Sequence, residues 1–345
     1  MRFNEEDDIN KERRSFLDGF FKGAITVSTQ SFWSKAFSLG FLTVISKEAS
    51  AQLIPHGMWR QRIPPQALFA WGLQSNYMLG VGGSTANKSS PTLIAAPSKW
   101  SSVAPGYSHT LAIRNNGTLW AWGSNFDAQL GNGSLLTASL PVQVGFASDW
   151  TQVQAGMQCS LALKSDFTLW AWGSNFYGQL GIPNWTPSQV NTQMAQVSMG
   201  TNHCLGIKVD GTLWAWGYND SGQFGTSTGT YSVSPVQVDS NTWTSVSAGL
   251  SFSLGIRSDN TLWAWGINSS GQLADGSVTT RSSPVQIPGS WVQVRASSNH
   301  ALGIKSDGTL WAWGSNTLGQ LGDATLTNRS SPVQIAGSWT MITAG

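Results

Sequence analysis

Residues 106–131 read GYSHTLAIRNNGTLWAWGSNFDAQLG, and the fold is decided within them. Two short apolar runs, HTLAIR (109–114) and TLWAWG (118–123), flank Asn116-Gly117, a dipeptide suited to the positive φ angles of a two-residue type I′ hairpin. In the second run the period-two alternation of a strand puts Trp120 and Trp122 on one face, Leu119 and Ala121 on the other. Both faces are therefore apolar, one bulky and one small. A sheet with water on one side does not read this way. A sheet stacked between like neighbours does, because large residues of one fill space left by small residues of the next.

The stretch is one copy among several. LWAWG or a variant occurs six times, its last Trp falling at Trp71, Trp122, Trp172, Trp216, Trp265 and Trp313, at intervals of 51, 50, 44, 49 and 48 residues. Upstream lies a G-x-x-H-x-L-x-I-K-S-D-G pattern. Downstream come G-S-N-x-x-G-Q-L-G, a variable loop, S-P-V-Q-I, and a Trp opening the next unit. Of 19 tryptophans, 11 lie in the LWAWG strings and five more, Trp100, Trp150, Trp243, Trp291 and Trp339, in the linking strands. Each unit predicts four short strands, of the types WTQVQAG (150–156), HTLAIR, TLWAWG and PVQV. A repeat of this period and content predicts a β-propeller.

The ends bear on closure. The first unit keeps ALFAWG (67–72), but HGMWRQRIP (56–64) stands where an HTLAIR strand belongs, and Met78 occupies the Gln129 position. The chain finishes on SWTMITAG, the opening strand of a unit that does not follow. The expectation is an all-β propeller of six four-stranded blades, seven if residues 23–66 supply another, closed by N- and C-terminal strands. Its span is 53–345. Residues 1–52 form a non-repeat arm, partly helical, in which Phe16, Leu17, Phe20 and Phe21 fall on one face and serve as anchoring residues.

Composition excludes several functions. Charged residues make up 10% of the chain, against ~25% in an average soluble domain. The formal net charge is +2 with basic residues scattered singly, which argues against a nucleic-acid partner. Cys159 and Cys204 provide neither a disulfide framework nor zinc-ligand spacing. No apolar window reaches the ~20 residues of a transmembrane helix. Residues 36–46, followed by Ala49-Ser50-Ala51, imitate a secretion signal; the long acidic segment in front and the start at Met1 count against one.

The string from Gly106 to Gly131 resembles the repeat of the regulator of chromosome condensation family, and the likeness recurs with constant spacing over residues 67–345, in the manner of bacterial and phage members. The resemblance implies a propeller, usually seven-bladed in that family. It also implies a choice of roles: nucleotide exchange on a small GTPase, ultraviolet-B sensing, β-lactamase inhibition, and uncharacterised roles in bacteria and phages. Exchange by a wedge between blades finds no room in intervals of 44 to 51 residues. The photoreceptor-like G-W-R-H-T string is here Gly106-Tyr107-Ser108-His109-Thr110, without its Trp and Arg.

Candidate chemistry is sparse. His109, His203 and His300 share one register with Cys159 and Phe252, and a Phe can neither ligate nor transfer protons. The histidines therefore read as structural, their ring nitrogens satisfied by backbone groups. Asn125, Asn175, Asn219, Asn268 and Asn316, the glutamines at 129, 179, 223, 272 and 320, and Asp166, Asp210, Asp259 and Asp307 recur identically, which is the mark of turn chemistry. No catalytic, metal or cofactor site is expected. Binding belongs where units differ, and the partner-contact candidates are Phe126, Phe176, Tyr177, Trp185, Tyr218, Asp220 and Tyr231. The functional expectation is a non-enzymatic interaction or scaffold propeller, engaging a protein partner or larger assembly through its arm and loops, in a virion or on an extracellular surface. The alternative is a soluble regulator or inhibitor of one partner.

Overall fold

The computed structural model describes residues 41–45 and 68–344, leaving out 95–98, 177, 179, 181–183, 227–228, 338 and 340–341. Trp100–Pro105, His109–Arg114, Leu119–Gly123 and Ala138–Gln143 form one antiparallel sheet in chain order. Trp291–Ala296, His300–Lys305, Leu310–Gly314 and Arg329–Ile335 form another. Between them runs a succession of 10 strands, from Trp150–Ala155 to Arg281–Ile287. Two of these, Asn184–Met199 and Tyr231–Ala248, are long enough to close one sheet and open the next. Asn184 to Gln193 pairs with Thr168–Gly173, and Met194 to Met199 with His203–Lys208, so the ladder changes partner in mid-strand.

Leu68–Gly72 pairs with Lys88–Leu93 on one side and Phe41–Ile45 on the other. Phe41–Ile45 lies in the segment read as arm, and here it stands where the HTLAIR strand stands in the other sheets. HGMWRQRIP and the rest of 46–66 lie outside the described residues. The closing strand expected from SWTMITAG is not paired among its described residues. Instead Trp339 and Ile342 pack on Ile304 and Leu310, as Trp150 and Val153 pack on Leu111, Ile113 and Leu119.

Successive first strands touch one another, which puts them innermost in a propeller. The two unlike faces of the LWAWG strand interleave as the sequence predicts. Trp122, with Trp120 at its margin, meets Leu68, Ala70 and Leu79 of the preceding sheet, while Leu119 and Ala121 receive Trp150 and Trp172 of the following one. Trp122, Trp172, Trp216, Trp265 and Trp313 are fully buried. Each removes ~150–250 Å² from water, or about 4–6 kcal/mol at ~25 cal/mol per Å². Stability without disulfides rests on this term.

Among the described residues a polar joint fixes neighbouring sheets at four seams, those of Met78, Gln129, Gln223 and Gln272. The backbone oxygen of Gln129 accepts hydrogen bonds from Trp172 Nε1 at 2.9 Å and Ser160 Oγ at 2.7 Å, both on the next sheet. Gln223 O does the same for Trp265 and Ser253. Met78 O receives Trp122 and Thr110. Because the acceptor is main chain, Met replaces Gln at position 78 without loss of the joint. Gly123 ends its strand at φ 101°, where a Cβ would lie 2.6 Å from Ser108 O, so a side chain there would force the strand away from its neighbour.

Candidate interaction face

Antiparallel order gives the sheets two ends. At one lie the hairpin turns between second and third strands. Asp166, Asp210, Asp259 and Asp307 each accept the backbone N–H and hydroxyl of the Thr two residues on. Those hydroxyl hydrogen bonds hold the carboxyls below their ordinary pKa. Each Thr oxygen in turn accepts the indole N–H of Trp170, Trp214, Trp263 or Trp311. These residues lock turns to strands, and their repetition leaves none distinct enough for a reaction.

At the other end lie the loops between third and fourth strands and between first and second. The former are built around the recurring Asn: Asn125 Oδ1 accepts Leu130 N, while Asn125 Nδ2 donates to Asn132 Oδ1 and Ser134 O. Gln129 Oε1 accepts Asp127 N. The same bonds recur at Asn219 with Gln223, Asn268 with Gln272 and Asn316 with Gln320. In the last two loops an ion pair adds a clamp, Asp275 with Arg281 at 2.8 Å and Asp323 with Arg329 at 2.7 Å.

On these braced loops the aromatic candidates stand out from the surface. Phe126 is 73% and Phe176 83% exposed, at one register where later units carry Asp220, Ser269 and Thr317. Tyr231 is exposed as well; Tyr218 is half-buried, its hydroxyl hydrogen-bonded to Asp220. Tyr177 and the side chain of Trp185 lie outside the described parts, as do Phe16, Leu17, Phe20 and Phe21. Two further residues, Tyr107 and Met157, are exposed on the same end. Tyr107 N donates to Gly156 O, and Gln158 Nε2 to Asp127 Oδ2, so these loops abut. Tyr107, Phe126, Met157 and Phe176 thus gather on two adjacent sheets. Sequence reasoning missed Tyr107 and Met157, although the first variable position of G-x-x-H, occupied elsewhere by Thr201, Leu250 and Ser298, is itself a place where units differ.

The three histidines are buried, and at His109 and His203 the partner differs from the backbone group expected. His109 Nε2 lies 2.9 Å from Ser160 Oγ of the next sheet, and His203 Nε2 2.9 Å from Ser253 Oγ. Each serine already donates to a backbone oxygen, so it accepts from an Nε2–H. Nδ1 of His109 and His203 finds no hydrogen-bond partner among the described residues. The side-chain hydroxyl wins because the adjoining main-chain oxygen is the joint acceptor. Burial pulls the pKa of both rings down to about 3 and that of His300 to about 4. Such rings stay neutral and enclosed at physiological pH, unsuited to proton transfer with a substrate. Among the described residues no three His, Cys, Asp or Glu side chains converge on a metal position, and no helix is long and apolar enough to cross a membrane.

Residues 65–345 match the family model of the RCC1-like domain. Human WBSCR16 is similar in structure, with a TM-score of 0.75 at 18% identity over 87% of this chain and 81% of that one. Yeast RCC1 (Prp20), solved bound to Kap60, has a TM-score of 0.69 at 21% identity over 79% of this chain and 71% of its own. Prp20p of Saccharomyces cerevisiae, described with its binding properties to Gsp1p and histones, gives 0.69 at 21% over 79% and 73%. At these identities the likeness concerns the fold. The strand order, the interleaved faces and the family match over residues 65–345 together place the chain in the RCC1-like domain family.

Proposed function

We propose that this propeller is a non-enzymatic protein-interaction module of the bacterial or phage type, serving as a structural component of a virion or extracellular surface assembly. The observation that carries the reading is the pair Phe126 and Phe176. Two large rings are held out to solvent on loops whose main chain is hydrogen-bonded by Asn and Gln side chains. Rigid exposed aromatics supply contact area at small entropic cost. Tyr107, Met157, Tyr218, Asp220 and Tyr231 extend the contact surface, with Tyr177 and Trp185. Low charge and Ser-, Thr- and Asn-rich loops suit a particle surface, and the part of segment 1–52 that precedes the paired strand Phe41–Ile45 supplies the arm that fastens the propeller, through Phe16, Leu17, Phe20 and Phe21.

The second reading, a soluble regulator binding one partner, is favoured by yeast RCC1 having been solved in complex with Kap60. Affinity isolation of the full chain from its source, followed by light scattering, distinguishes the two. A large particle supports the scaffold, and a one-to-one complex the regulator. Removing residues 1–40, which spares the paired strand Phe41–Ile45, should abolish incorporation into the particle. Undiminished incorporation overturns the arm's role.

A further inference from the structure

Four sheets share a feature that a fifth lacks. In each of the four, the last residue of the second strand is a cation lying between two indoles, one from the first strand and one from the third. Arg114 lies 5.1 Å from the ring of Trp100 and 3.4 Å from that of Trp120. Lys164 lies 5.1 Å from Trp150 and 4.8 Å from Trp170. Arg257 lies 4.9 Å from Trp243 and 3.7 Å from Trp263, and Lys305 5.0 Å from Trp291 and 3.8 Å from Trp311. In each case the first-strand Trp is paired in register with the cation.

In the sheet opened by the second half of Asn184–Met199, the residue paired with the cation Lys208 is Met194. Lys208 Nζ lies 3.4 Å from the Trp214 ring, and among the described residues no second ring covers it. Met194 fills only the inner part of the missing indole's place. A Cβ at Gly206 would meet Met194 Sδ at 2.8 Å, just as Cβ atoms at Gly255 and Gly303 would meet Cζ3 of Trp243 and Trp291 at 2.5 and 2.6 Å. Beside Lys208 opens a cleft of about 760 Å³, lined also by Thr168, Gln189, Gln193 and Asp210 among others.

We propose that this cleft binds an aromatic side chain, Trp or Tyr, presented by a protein partner, whose ring stacks on Lys208 where the chain's own indole lies in the four other sheets. The chemistry is already displayed four times within the molecule: an ammonium or guanidinium against the face of an aromatic ring. Gln189 and Gln193 supply amide oxygens for a ring N–H or hydroxyl, and Thr168 and Asp210 acceptors for the flanking backbone. The cleft is larger than one indole and open to solvent, which suits a side chain on a peptide. The site lies at the turn end, away from Phe126 and Phe176, and is independent of their role.

The full chain labelled with 13C-methyl methionine tests this by NMR, with indole and the peptide acetyl-Gly-Trp-Gly-amide as probes. Both should move the Met194 methyl resonance upfield and saturably, the peptide binding at least as tightly as indole. Lys208→Ala should weaken both about fivefold, the loss of one cation–π contact. Met194→Trp should refill the place, so that saturation transfer to added indole is lost and the melting temperature rises. An unmoved Met194 methyl at saturating probe overturns the proposal. So does binding of indole with exclusion of the peptide, or undiminished binding to Lys208→Ala, which keeps the test decisive even if Met194→Trp does not fold.

Discussion

Lowering the pH from 7.5 to 5 should strip a large part of the protein's stability, and three buried histidines set the amount. His109, His203 and His300 carry folded pKa values of about 3, 3 and 4, against 6.5 when unfolded. A folded value below the unfolded one means that the native state takes up protons last. The stabilising term is therefore complete above pH 6.5 and is lost as the pH falls from there toward the folded values. At pH 5 all three rings are still neutral in the native state, so the loss depends only on the unfolded chain. That chain lies 1.5 units below its pKa of 6.5, worth about 2 kcal/mol per ring at ~1.36 kcal/mol per unit. Three rings give about 6 kcal/mol, a large share of the ~5–15 kcal/mol available to a folded protein. Urea denaturation at pH 7.5 and pH 5 reads this directly. The molecule supplies its own control in Phe252 and Ala301, which take the places of His and Ser at another joint and share a core cluster. The double variant His203→Phe with Ser253→Ala should therefore lose about one third of the pH dependence. A variant as acid-sensitive as the parent, or a parent equally stable at both pH values, would refute the assignment.

Trp265→Ala removes a fully buried ring and a hydrogen bond to Gln223 O; a cost of about 3–5 kcal/mol is expected in thermal or urea denaturation. At Asp323, burial pushes the pKa up, but hydrogen bonds from Thr325 and Arg329 outweigh it and bring the carboxyl to about 2 from 3.8. Its contribution is present above 3.8 and lost as the pH falls toward 2, so Asp323→Asn should flatten that segment of the stability profile and leave the segment between 5 and 7.5 unchanged. Replacing Phe126 and Phe176 together by Ser should alter stability by no more than about 0.5 kcal/mol while abolishing retention of the co-purifying partner; full retention would remove those rings from the contact surface.

Strand order was legible because period-two alternation and Asn-Gly or Asp-Gly turns are local signals, and so was the stacking of sheets, because Trp120 with Leu119 already implies a partner on each face. Longer-range pairings were not. Nothing in FLTVI marks it as the mate of LFAWG across more than 20 intervening residues, and HGMWRQRIP was nearer in the chain. The His–Ser joint was hidden because its two halves sit about one repeat apart, and only when His109 with Ser160, His203 with Ser253 and Phe252 with Ala301 are seen together does the exchange of partners make sense. Met194 went unread in the sequence, because its meaning required the cation that four of the sheets place against a Trp at that position. At the contact surface, Phe126 and Phe176 followed from comparing loops, whereas Tyr107 and Met157 sit inside a motif that reads as uniform.

Because Gln129, Gln223 and Met78 offer only a peptide oxygen to the next sheet, the seam carries almost no demand on side-chain identity on its accepting side. Whole units can then be copied, exchanged or drift apart in lettering while the tryptophan arriving from the neighbour still finds its acceptor. Substitution on that side leaves the seam intact, so the outward loops are free to acquire new specificities one unit at a time.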